Sequence, residues 1–198
     1  LEPATLKASV DESLQKLGTG YVDLLLIHWP SPNNEVPMAD YLTALKEVKA
    51  EGKAHHIGIS NFTCEQVDEA ISILGKGEIL TNQIEVHPFL QNRKLVDHCE
   101  HQNIQVTAFM PLAVGKVMED PTLQKIADTH GVTAAQITLA WVKQRNMTTI
   151  PSSTKARNIQ SNISAFDLVL SDSEMADIAM LDRQERIANP DFAPAWDE

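Results

Sequence analysis

Apolar side chains along this chain alternate between two rhythms, a spacing of about three to four residues and short unbroken runs, and that alternation predicts the architecture. Leu6, Val10, Leu14 and Leu17 share one face at helical spacing after Pro3, and Gly18 and Gly20 stop that helix before the run from Val22 to His28. A loop carrying Pro30, Pro32 and Pro37 leads into a helical stretch from Met38 to Glu51, closed by Gly52 and followed by the short run His56 to Ser60. Thr63 and Gln66 have capping-box spacing and open the next helix, which ends near Gly75 and Gly77. Leu80 to Val86 reads as a third strand, Gln91 to His101 as a helix and Ile104 to Met110 as a fourth strand. Two helices follow, over 121–130 and 133–145, the second opened by Thr133 and Gln136. A brief strand from Thr148 to Ile150, a short helix from Lys155 to Asn162 and a last helix opened by Ser171 and Glu174 complete the pattern. The tail from Asn189 to Glu198 reads as an ordered loop or extended arm.

Strands separated by helices pair in parallel, so the fold class is α/β with a covered sheet. Two arrangements accept five such strands. An open doubly wound sheet would place a G-x-G-x-x-G after its first strand, and Gly18-Thr19-Gly20 precedes the strand instead. A closed (β/α)8 barrel uses eight strands and typically about 250 residues, with its chemistry at the strand C-termini. No linker or shift of composition divides the 198 residues, which reads as a single domain over 1–198. With 43% hydrophobic and 22% charged residues the chain can bury a sizeable core.

Charge narrows the partners. The 27 acidic side chains outnumber 16 basic ones, a net charge of −11, which disfavours nucleic acid and anionic lipid, so any anionic ligand must be held by a few local donors. Cys64 and Cys99 are the only cysteines, which argues against a disulfide scaffold and for a reducing cytoplasm. The run around Val22 to Ile27 is far too short to cross a bilayer, and nothing at the start resembles a secretory leader. No metal site is expected. His55 and His56 point to opposite sides of a strand, and His98 and His101 lack a third ligand. Glu85 and His87 read as ordinary surface or core residues, with His87 near a strand end.

Polar and aromatic residues cluster where each strand stops: His28 with Trp29, Ser60 with Asn61, Gln83, Phe109 with Met110, and Ser152 with Ser153. Five strands delivering such side chains at one end describe a ring around one pocket. The segments that carry them, Asp23-Leu24-Leu25-Leu26-Ile27-His28-Trp29-Pro30, Ile57-Gly58-Ile59-Ser60-Asn61-Phe62, Thr81-Asn82-Gln83-Ile84-Glu85 and Ile150-Pro151-Ser152-Ser153, resemble in order and spacing the motifs of the aldo-keto reductase family. The likeness runs from Leu6 to the C-terminus, and Ile150 to Lys155 and Ala193 to Asp197 place it beside a bacterial branch that acts on diketo-sugar acids.

The resemblance implies a (β/α)8 TIM barrel in the complete protein, with about five βα units, strands 4 to 8, in this chain. It implies NADPH-dependent reduction of an aldehyde or ketone, such as a keto sugar or methylglyoxal, by a monomer. By the same likeness His28 polarises the substrate carbonyl with Trp29 beside it, Ser60, Asn61 and Gln83 hold the nicotinamide carboxamide, and Phe109 stacks on the ring. Met110 and Leu112 join the cofactor contacts. Around the adenosine the family pattern is less regular here: Ser152 and Asn158 stand where Lys and Arg are usual. Lys155 and Arg157 lie close by, Ser153 and Thr154 supply further donors, and Asn162 matches the adenine contact. The family's proton donor is a Tyr supported by Lys and Asp, all from strands that would precede Leu1, and neither Tyr21 nor Tyr41 matches it. The expectation is therefore an N-terminally truncated chain, inactive alone, with a non-catalytic nicotinamide-binding relative as the alternative.

Overall fold

The structure, a computed structural model, describes residues 2–197. Over those residues the chain forms two compact units, one made of Leu1–Gln83, Lys94–Val106 and Asn189–Glu198, the other of Ile84–Arg93 and Thr107–Ala188.

In the first unit helix α1 (Pro3–Leu17) leads to strand β1 (Val22–Ile27), α2 (Met38–Ala50) to β2 (Ala54–Ser60), and α3 (Cys64–Leu74) to β3 (Ile79–Glu85), before α4 (Arg93–His101). α1 ends where expected because Gly18 adopts the left-handed conformation and its N–H returns to Leu14 and Gln15 carbonyls. Val10, Leu14 and Val48 close a small core with Leu6, Val22 and Leu25, and α2 buries Tyr41, Leu42, Leu45 and Val48. Each such leucine contributes roughly 1.5–3 kcal/mol of burial free energy. β1, β2 and β3 pair in parallel, with Ile27 opposite Ile59 and Ser60 opposite Gln83. β2 begins two residues earlier than its apolar run, because Ala54 pairs with Val22 and the Val22 N–H reaches the Lys53 carbonyl at 3.0 Å. Backbone pairing recruits exposed His55 and His56 whatever their polarity.

The β2–β3 register slips between Ile57 and Ile59, which face Ile79 and Asn82, so β3 carries one extra residue there. Gly58 lies across from that irregularity. A Cβ on it would stand 2.6 Å from Leu26 Cδ2 and 2.8 Å from the Thr81 carbonyl oxygen, so no larger residue fits without movement.

In the second unit β4 (Gln105–Phe109, its first two residues in the other unit) pairs in parallel with β5 (Thr148–Thr149). Between them run α5 (Pro121–His130), capped by the Asp120 carboxylate on the N–H groups of Thr122 and Leu123, and α6 (Ala134–Gln144), opened by the Thr133–Gln136 capping box. Eight of the 11 residues of α6 are buried, the mark of a helix covered on nearly every side. α7 (Ala156–Ser164) runs two residues past the expected end, and α8 (Asp172–Ala179) starts at the Ser171–Glu174 box. The helix expected from Gln91 starts at Arg93, because Asn92 is left-handed at φ 44° and cannot continue a right-handed helix. Short 3-10 segments at Pro32–Asn34, Ala113–Glu119 and Ala165–Asp167 carry no periodic signal and escape a sequence reading. No helix among the described residues is long and apolar enough to cross a membrane.

Candidate functional site

The predicted residues gather in two groups, one in each unit. In the first, the parallel register puts the C-terminal ends of β1, β2 and β3 side by side, so His28, Ser60 with Asn61, and Gln83 emerge at one edge. Asn61 locks that edge. Its backbone is left-handed at φ 64°, its N–H donates to the Gln83 carbonyl at 3.0 Å, and its Nδ2 donates to the His28 carbonyl at 2.9 Å and to Ser60 Oγ at 3.1 Å. Ser60 Oγ in turn donates to the Gln83 carbonyl at 2.7 Å. Asn tolerates this backbone conformation better than other residues with a Cβ, and its side chain reaches the neighbouring strand end.

Ser60 and Asn61 are therefore buried and largely satisfied by the protein, which narrows what they can offer a ligand to Asn61 Oδ1 and a free lone pair on Ser60 Oγ. The Gln83 carboxamide, by contrast, enters no hydrogen bond among the described residues and is only half-buried. A planar amide ligand needs one acceptor and one donor, and Asn61 with Gln83 supply both. His28 is exposed, its carbonyl is held by Asn61, and its imidazole enters no hydrogen bond among the described residues. Trp29 stands edge-on to it with ring centroids 6.3 Å apart.

Sequence reasoning missed the residues around Trp29. Phe192 and Trp196 from the tail pack edge-to-face on its indole at 5.5 and 6.0 Å. The sequence separation is more than 160 residues, and no periodicity joins them; the tail drew notice only for the likeness of Ala193 to Asp197 to a family branch, which does not say what its rings touch.

In the second group β4 and β5 end together: Ala108 pairs with Thr149 and the Ile150 N–H donates to the Ala108 carbonyl at 3.2 Å. Phe109 is half-buried at the strand end, and Met110, exposed, turns left-handed at φ 48°. Leu112 is half-buried, and Ala113 and Val114 are left-handed too, at 47° and 49°. Such strain in three residues with side chains, one of them β-branched, is seen where a loop is held in a demanding shape. After β5, Pro151 to Lys155 lead into α7, whose Lys155 cap position carries no side-chain hydrogen bond to the helix. Ser153 Oγ accepts from the Lys155 N–H at 3.2 Å; the Asn158 and Ile159 N–H groups return to the Lys155 carbonyl, and those of Ala156 and Arg157 have no bond among the described residues. Ser152, Thr154, Lys155, Arg157 and Asn158 are exposed, Asn162 is half-buried, and neither cation joins an ion pair among the described residues. Open helix N–H groups beside two unpaired cations fit a phosphate.

Two buried features take roles other than those expected. Glu85 and His87, read as ordinary positions, form a hydrogen-bonded pair at 2.9 Å and are almost fully buried. The Glu85 carboxylate also accepts the N–H groups of Ile187 and Ala188 at 2.8 and 2.7 Å. Burial pushes its carboxyl up, but the bonds from His87, Ala188 and Ile187 outweigh that and hold it below the usual glutamate value. Tyr41 is buried in α2, and burial raises its phenol to about 12. Tyr21 stacks on His55 at the opposite end of β1 from His28. Tyr21 is therefore not placed to serve His28. His98 pairs with Asp68 at 2.9 Å and His101 with the Asp97 carbonyl, so the two do not converge on one ligand.

The model of the aldo/keto reductase family matches residues 1–183. A methylglyoxal reductase, DkgB, of Yersinia pestis is 50% identical over 190 residues, covering 96% of this chain and 71% of that protein. A glyoxal reductase of Bacillus subtilis is 37% identical over 190 residues, covering 94% and 67%. Among solved structures, a candidate 2,5-diketo-D-gluconic acid reductase B superposes with a TM-score of 0.95 at 42% identity, over 100% of this chain and 70% of the other. These two matches take in 96% to 100% of this chain, which spans 71% and 70% of the two proteins.

Proposed function

Since the chain belongs to the aldo/keto reductase family, we propose that it takes part in NADPH-dependent reduction of small aldehydes and ketones, with methylglyoxal and keto sugars as the substrate class. The reading rests on one observation above all: an exposed imidazole with no hydrogen-bond partner among the described residues, at a strand edge locked by Asn61 and walled by Trp29. The names of the relatives, a methylglyoxal reductase and a glyoxal reductase, support the substrate class.

When bound, the dihydronicotinamide supplies the hydride. His28 donates a hydrogen bond to the carbonyl oxygen, drawing electron density from the carbon and stabilising the oxygen as it becomes an alkoxide. Gln83 and Asn61 Oδ1 orient the carboxamide, and Ser60 acts chiefly by holding Asn61. Phe109, with Met110 and Leu112, offers an apolar surface for the ring. Lys155, Arg157 and the opening turn of α7 hold the 2′-phosphate, with Ser152, Ser153, Thr154 and Asn158 as neutral donors and Asn162 toward the adenine. Tyr21, at the other end of β1, does not supply the proton of the alcohol, and the Tyr41 phenol is buried and raised to about 12. A second reading is a nicotinamide-binding relative that does not turn over.

Cofactor titration and turnover separate the two. His28→Asn should lower kcat/KM for methylglyoxal by about 10²-fold or more while leaving NADPH affinity within about twofold. Lys155→Ala with Arg157→Ala should weaken NADPH by about tenfold or more and leave NADH unchanged, since two phosphate contacts are lost. NADPH binding without carbonyl reduction would select the second reading; no NADPH binding would sink both.

A further inference from the structure

The tail from Asn189 to Asp197 lies beside Trp29, with the Phe192 and Trp196 rings on its indole. The Trp196 Nε1 donates to Asn189 Oδ1 at 2.9 Å and the Ala193 N–H to the Pro190 carbonyl at 2.8 Å, so the tail folds on itself. Behind it lies an open cleft of about 290 Å³ bordered by Pro30, Asn33, Asn34, Glu65, Phe192 and Pro194, so the tail is not packed along its length. At its far end Asp197 Oδ2 accepts the backbone N–H of Cys64, the first residue of α3, at 2.8 Å. Thr63 already caps the Gln66 N–H, so the carboxylate takes an N–H the cap leaves over, at the positive end of the helix.

We propose that Asp197 is a positioning residue: by latching the tail to the start of α3 it holds Phe192 and Trp196 against Trp29 and so builds the wall that admits carbonyls bearing a flat apolar group. The proposal rests on the carbonyl-reductase reading for its substrate consequence, and on geometry alone for the latch. Trp29 sits between the free imidazole and the two tail rings, so a substrate whose carbonyl reaches His28 lays its far end along that wall. A two- or three-carbon aldehyde ends short of it. Edge-to-face rings at these distances keep their geometry only while both partners are held.

Cys64 reports on the latch independently. Burial, then the charge and hydrogen bond of Asp197, push its thiol up to about 11, with Asp68 adding to the rise and Lys94 opposing it. Cys99 is buried and does not compete for a thiol reagent.

The experiment pairs Asp197→Ala, which removes charge and acceptor, with Asp197→Asn, which keeps an acceptor for the Cys64 N–H. In the full-length protein the ratio of KM for benzaldehyde to KM for propanal should rise about tenfold in the alanine variant, with kcat for benzaldehyde little changed, and should return to near the parent value in the asparagine variant. Iodoacetamide should alkylate Cys64 at least about threefold faster at pH 8.5 in both variants, because the neighbouring charge is gone. An unchanged KM ratio in Asp197→Ala would overturn the specificity role, and unchanged Cys64 reactivity would overturn the latch. If the parent reduces neither aldehyde, the carbonyl-reductase reading fails, and Cys64 reactivity still decides the latch.

Discussion

Asn61 shows how much one side chain decides at this edge. Its three hydrogen bonds and its left-handed backbone hold His28, Ser60 and Gln83 together at the ends of three strands. Asn61→Ala should lower the unfolding free energy by about 2–3 kcal/mol, from roughly 1–2 for the backbone conformation and about 1 for the lost bonds. Asn61→Gly relieves the backbone and should cost about 1 kcal/mol less than the alanine change. Urea denaturation with a common slope checks this, and equal losses for the two variants would mean that the conformation carries no strain. At this scale His28, Asn61 and Gln83 were legible as candidates in the sequence, the first two because each ends a strand-like run and all three because they belong to spaced motifs. Their partners were not. Which carbonyl the Asn61 amide meets depends on a strand 33 residues earlier in the chain, and no local pattern encodes that pairing.

Among the elements, the two threonine capping boxes, the Ser171–Glu174 box and the glycine stop of α1 lie where residue spacing puts them, since caps are made within a single turn. The register slip in β3 is different in kind. It arises from pairing two parallel strands, and its only trace in the sequence is Gly58 in an otherwise β-branched run. Gly58→Ala should destabilise by about 1–3 kcal/mol, since Leu26 or the Thr81 carbonyl must move by several tenths of an ångström. Thermal unfolding tests this. A substitution without effect would show that the β2–β3 pair yields easily, and the fixed edge at Ser60 and Gln83 would lose its support.

Across the whole chain the charge of −11 sets the background against which local cation clusters act, which is why Lys155 and Arg157, unpaired at the start of α7, bear more weight than their number suggests. Glu85 supplies the pH dependence. Its folded-state carboxyl lies below the ordinary 4.5, so its contribution is present in full above that value and is lost as pH falls through the folded value. Glu85→Gln should lower the unfolding free energy at pH 7 by about 2–4 kcal/mol, because an amide nitrogen would face donors that a carboxylate satisfies. The deficit should shrink below pH 4.5, where the parent loses the same charge; an equal deficit at pH 7 and pH 3 would contradict this account. By itself the sequence determined the alternation of strands and helices, the helix caps, the family and the residues that end each strand, because periodicity, capping and motif spacing are local in the chain. The tertiary structure alone decided that Ser60 and Asn61 are spent largely on the protein, that Glu85 and His87 are buried together, and that the tail's rings and Asp197 reach Trp29 and Cys64. Each of those rests on contacts between distant residues, whose geometry exists only once the backbone has been brought together.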